Sequence, residues 1–202
     1  MARNRLKLNE EKTQIIWLGT RQQLDKVTVR SLTLPNAIVP FSTVVNDLGI
    51  LIDSQLTVAD HVAALSRSCF FCMRQHALMP DAARTLLHAF ISSGLDYCNS
   101  ILAGVSRQLL HKLQVVQNAA THLVTGARKC EPMTPVLRVL HWLPMRWRIT
   151  FKTAVLAYKC QHSAAPQYLQ SYCVSTSTCT GRRHLRSAQT RQLDSCAYNV
   201  VV

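Results

Sequence analysis

The sequence predicts an α+β fold: a small antiparallel β part over about residues 13–52, followed by a mainly α-helical bundle. Two patterns carry this. In the first fifty or so residues the apolar side chains come in short β-branched runs separated by polar, Pro or Gly turns. From about Val58 they return every three or four positions, the spacing of one buried helical face. Composition adds that a core can form, since 48% of the 202 residues are apolar and 16% charged, a globular balance. The chain accordingly divides into residues 1–56, 57–172 and a tail at 173–202. The tail is rich in Ser, Thr and Arg, with too few large apolar side chains to offset ordering, so disorder is expected there.

Taken in order, Thr13 to Gly19, Val27 to Leu32 and Asp47 to Ile52 read as strands, with Val27 and Val29 on one face and Thr28 and Arg30 on the other. A first helix runs from near Val58 to Met73. A second opens at Pro80-Asp81, where Pro suits the first turn and Asp complements the positive helix end. Leu86, Leu87, Phe90 and Ile91 supply its buried stripe, and Gly94 predicts a break or a close helix contact. The clearest helix starts at Ser106 as N-cap, repeats Leu109, Leu113, Val116, Ala120 and Leu123 on one face, and stops at Gly126. Its opposite face carries Arg107, Gln108, His111, Lys112, Gln117 and Asn118. A short helix follows Thr134-Pro135 and ends by Leu143-Pro144. A long one then covers Met145 to about His162, and Pro166, Tyr168 and Leu169 add one more turn.

Charge directs the functional reading. Lys and Arg number 23 against 10 acids, a formal charge of +13, which attracts polyanions through a salt-sensitive field. RNA, DNA or their hybrid is therefore the expected partner, bound weakly and in a salt-dependent way. From Arg128 to Arg191 there are eleven basic residues and one acid, Glu131. Arg148, Lys152 and Lys159 share a helical face able to track a phosphate backbone. Arg107, Lys112, Arg128, Lys129 and Arg146 are further basic candidates. Trp142 and Trp147 either pack in the core or stack on a base, packing being the simpler expectation.

Other chemistries find little footing. The acids are few and only Glu10-Glu11 are adjacent, so no cofactor or metal is expected to be held by this segment. No nucleophile elbow, H-E-x-x-H helix or glycine-rich phosphate loop occurs. Nothing beyond the presence of both residue types supports a Cys98–His111 or Cys130–His141 dyad. Eight cysteines are scattered through expected helix, which favours reduced, packed thiols. Cys69 and Cys72 have zinc-ligand spacing but lack a second pair, so packing is the simpler role. Met1 to Lys12 has no apolar core of signal-peptide kind, and no run approaches the roughly 18 apolar residues of a membrane span. The expectation is an intracellular protein of nucleus or cytoplasm without membrane association.

Several segments resemble, in the family's order, the region after the catalytic box of non-LTR (LINE-type) retrotransposon reverse transcriptases. Leu8-Asn9-Glu10-Glu11-Lys12-Thr13 is similar to the L-N-x-x-K-T palm segment, and Val45 to Asp53 to the Leu-Gly hairpin that grips the primer end. Pro80 to Leu86, Leu95-Asp96-Tyr97-Cys98-Asn99-Ser100, Gln114 to Ala120 and Leu140-His141-Trp142-Leu143-Pro144 resemble the helical thumb. The likeness covers about residues 6–172. It implies the end of a palm in 1–56 and a thumb-like domain in 57–172, with Lys12, Leu48 and Gly49 as site residues. It also implies that the Mg²⁺-binding aspartates of the parent RNA-directed DNA polymerase lie upstream of Leu6. The fragment is therefore expected to have no catalytic residues and no enzyme activity of its own, only a sequence-independent grip on template-primer; its other partner would be the upstream polymerase portion. The alternatives are a non-functional retrotransposon relic and a helical protein-interaction module.

Overall fold

The computed structural model describes residues 9–34, 37–76, 81–128 and 131–173, and over these the chain is mixed α+β. Its elements are β1 (Ile15–Ile16), α1 (Arg21–Leu24), β2 (Ser31–Thr33), β3 (Ile38–Ser42), β4 (Val44–Asp47), β5 (Ile50–Asp53), α2 (Ala59–His76), α3 (Asp81–Asp96), α4 (Arg107–Thr125), α5 (Met133–Val139), α6 (Met145–Gln161) and α7 (Gln167–Gln170). Single turns of 3-10 helix lie at Glu10–Lys12 and Asn99–Leu102. The backbone clusters into two compact units, one from the described parts of Met1–Cys98 and Gly104–Met145, the other from Asn99–Ala103 and the described part of Arg146–Val202.

In the first unit the sheet order is β1-β3-β2, with a separate hairpin β4-β5. The expected antiparallel arrangement holds for β2 with β3 and for the hairpin, but β1 runs parallel to β3, Ile15 opposite Phe41 and Ile16 opposite Ser42. The chain between β1 and β3, with α1 and β2 in it, is long enough to carry the crossover that a parallel pair requires. The central strand β3 contains Pro40, a residue that argues against a strand in sequence. Pro40 is tolerated because it lies opposite Ser31 of β2 only, while β1 pairs further along at Phe41 and Ser42. Val27 to Arg30 is not a strand: Val29 is exposed beside half-buried Val27, so the anticipated alternation fails and pairing begins at Ser31.

The helices follow the apolar spacing more closely. In α4 the Ser106 hydroxyl accepts from the Leu109 N–H, and Gly126 closes the helix at φ 71°, the left-handed cap that favours glycine. Leu113, Val116 and Ala120 are fully buried. Gln117, expected on the wet face, is buried as well, because position 117 lies between the fully buried positions 113 and 121 on the wheel. Its Nε2 donates to the Leu143 carbonyl at 2.8 Å, while Gln114 Oε1 accepts from the Met145 N–H at 2.9 Å. In α3, Ile91 and Leu95 are buried but Phe90 is exposed, one position round from their seam; the side chains of Leu86 and Leu87 lie outside the described residues. Gly94 stays within α3, and a Cβ there would meet Leu65 Cδ1 at 3.4 Å, so it marks a close helix contact rather than a break. α5 begins two residues earlier than Thr134-Pro135 predicts, with Pro132 as N-cap.

α2, α3 and α4 pack on one another, β5 packs on α2 and α5 on α4. Val62, Cys69, Ile91, Leu95, Leu113, Val116 and Ala120 form this core, and each large side chain of it contributes roughly 1.5–3 kcal/mol. In the second unit Leu102, Ile149 and Cys160 are buried. Among the described residues no helix is long and apolar enough to cross a membrane.

Candidate nucleic-acid interface

The Leu48-Gly49 loop joins β4 and β5 by two residues with positive φ, 49° and 85°, the pattern of a type I′ hairpin turn. That turn prefers Asn-Gly, because an unbranched polar residue tolerates left-handed backbone and a bulky one pays for it. Leu48 occupies the strained position and is 83% exposed. Neither folding nor solubility favours an apolar residue there, and such conflicts cluster at binding sites.

The tip is tied down from three directions. The Tyr97 hydroxyl, at the end of α3, donates to the Leu48 carbonyl at 2.6 Å. The Asn46 side chain accepts from the Gly49 N–H at 3.0 Å. Gln14 Oε1 accepts from the Asn46 N–H at 2.9 Å, joining the N-terminal segment to the hairpin. Three segments far apart in sequence thus converge: the one containing Lys12, Thr13 and Gln14, the Leu-Gly hairpin, and Leu95 to Cys98. Tyr97 and Gln14 were not singled out as site residues, since their partners are 49 and 32 positions away and no local spacing signals them.

Two titratable groups hold the base of the hairpin against α2. The buried Asp53 carboxylate accepts from the Thr57 hydroxyl at 2.6 Å and from the Thr57 and Gln55 N–H groups at 2.8 and 3.1 Å. Burial by itself would raise its pKa, but together these hydrogen bonds hold it below the usual carboxylate value. His61 Nδ1 accepts from the Leu51 N–H at 3.5 Å, which requires the neutral ring. Burial lowers its pKa to match.

The basic candidates are distributed over both units. In the first, Lys12 is exposed on the 3-10 turn before β1, Arg107 and Lys112 are exposed on α4, and Arg128 is exposed after it; Lys129 lies outside the described residues. Arg107 and Lys112 are five residues apart, about 140° round the helix, so they do not form one stripe. In the second unit Arg146, Lys152 and Lys159 are exposed and Arg148 is half-buried, all on α6. The first turn of α6 holds no acid. Arg146 and Arg148 therefore add to the positive helix end, an arrangement unfavourable for folding and favourable to an anion.

The tryptophans separate. Trp142 stacks on His88 with centroids 4.2 Å apart. Trp147, expected to pack, is 56% exposed because it lies on the outward side of α6, with the Arg146 guanidinium 5.6 Å from its ring. Cys69 is buried and Cys72 half-buried on α2. Among the described residues no group of three or more His, Cys, Asp or Glu side chains gathers to hold a metal ion.

The fold and site thus define a mixed α+β chain with a strained, tethered hairpin and a basic helix. Comparisons with protein families, curated proteins and solved structures find no match.

Proposed function

We propose that about residues 6–172 correspond to the end of the palm and the helical thumb of a non-LTR retrotransposon reverse transcriptase, and that this segment grips template-primer nucleic acid without reading its sequence. The observation that carries the reading is Leu48: exposed, held at positive φ and tethered through Tyr97. An apolar tip of this kind lies against sugar and base edges, while Lys12 and the basic residues of α4 and α6 attract phosphates. Polymerase chemistry belongs, by the same resemblance, to Mg²⁺-binding aspartates upstream of Leu6, so no catalytic step is assigned to these residues. Their contribution is position and charge.

A salt titration of binding to a labelled RNA–DNA hybrid tests this. If about four phosphates are neutralised, affinity falls on the order of a hundredfold between roughly 50 and 200 mM salt. Binding that hardly changes over that range, or none at low salt, contradicts the proposal.

A further inference from the structure

The grip on a duplex leaves one feature of the second unit without a role. On α6, Trp147, Phe151 and Tyr158 are 56%, 60% and 62% exposed. Their spacings of four and seven residues place them within about 40° of one another on the helix, an apolar stripe facing solvent. Lys152 and Lys159 are exposed too, and with Arg148 they form a second stripe roughly 100° round from the first. The Tyr158 ring also lies 4.1 Å from that of His162. From Trp147 to Tyr158 the helix rises about 16 Å, so the rings make a row rather than one patch.

We infer that this face of α6 binds an unpaired nucleic-acid strand, its bases stacking on Trp147, Phe151 and Tyr158 while Lys152 and Lys159 follow its phosphates. A paired duplex hides its base faces, so a row of exposed rings has no use for one; a single strand offers a π-face at every base. The basic stripe beside the rings selects a polyanion over an apolar protein surface, which the rings alone would not do. The inference goes beyond the proposed template-primer grip: it shares the lysines of α6 with that reading but rests on the exposed rings, which the grip does not use, and on a different form of nucleic acid.

The test uses the whole chain and a labelled oligothymidylate about twelve nucleotides long, within the usual site sizes, with a duplex of equal length and anionic lipid vesicles as competitors. The strand binds and quenches tryptophan emission, and the quenching is lost in Trp147→Ala but kept in Trp17→Phe, since Trp142 is stacked on His88 and Trp17 lies against Phe41 on another element. Phe151→Ala and Tyr158→Ala each weaken binding about tenfold and leave the salt slope unchanged. Lys152→Gln and Lys159→Gln each reduce the slope by about 0.7. The two lysines are exposed and their variants keep the parent urea midpoint, while each ring is about two-fifths covered, so its removal lowers the midpoint modestly without unfolding the chain. Aromatic variants that bind like the parent, equal competition by the duplex, or displacement by vesicles would each overturn the inference. Hybrid binding weakened in Leu48→Asn with single-strand binding unchanged separates it from the template-primer reading.

Discussion

Replacing Leu48 with Asn sets stability against function at the hairpin tip. Left-handed backbone costs an L-residue roughly 1–2 kcal/mol, and Asn adopts it far more readily than Leu, so the exchange relieves about 1 kcal/mol. Against this stands the small apolar area lost: at 83% exposure Leu48 buries about a sixth of its side chain, worth about 0.4 kcal/mol. The Tyr97 hydrogen bond goes to the backbone carbonyl and survives the change. The net effect is a hairpin more stable by about 0.6 kcal/mol, a factor of about three in its opening constant. Amide hydrogen exchange across β4 and β5 reads this directly, as slower exchange confined to the hairpin. Affinity for an RNA–DNA hybrid moves the other way, falling about fivefold for the loss of one apolar contact of about 1 kcal/mol. A hairpin that opens more readily in Leu48→Asn refutes the strain argument, and unchanged hybrid affinity refutes the role assigned to the tip.

Gly49→Ala acts oppositely: at φ 85° and with only ordinary contact to the Tyr97 ring, it speeds hairpin exchange through backbone strain of about 1–2 kcal/mol. Leu113→Ala, in a fully buried position, lowers unfolding free energy by about 2–5 kcal/mol, read from urea denaturation. The pKa of His61 is lowered in the fold, so its contribution is present above the unfolded value near 6.5 and is lost as pH falls from there through the folded value. Asp53 repeats the pattern lower, losing stability as pH drops from its ordinary value near 3.8. Urea midpoints against pH show both steps, and a flat profile below pH of about 6.5 contradicts the neutral ring against Leu51. Cys69, its thiol pushed up to about 11 by burial and by neighbouring Cys72, alkylates at neutral pH more than about a hundredfold more slowly than an ordinary thiol. Peptide mapping checks this against exposed Cys98.

Helix boundaries and caps were legible in the residues because they depend on neighbours three and four positions away. Ser106 and Gly126 delimit α4 as its spacing predicts, and the starts of α6 and α7 fall where Pro144 and Pro166 allow. Burial within a helix was less legible where polarity misleads. Gln117 sits in the core because the Leu143 carbonyl needs a donor there, whereas Phe90 and Trp147 face out despite their apolar rings. Of the candidate site, Leu48 and Gly49 were marked only by the likeness to a Leu-Gly hairpin; their local pattern reads as one strand over Asp47 to Ile52, which the structure divides by a turn, and the tethers to Tyr97 and Gln14 left no local signal.

The sequence by itself determined the α+β class, the extents of most helices and a strongly basic charge. Tertiary structure alone decided that β1 runs parallel to β3, that a strand passes through Pro40, and that Tyr97 holds the tip. The reason is the range of the hydrogen bonds: a helix closes its own within four residues, while a strand and a tethered loop take partners from distant chain, chosen only when the core assembles.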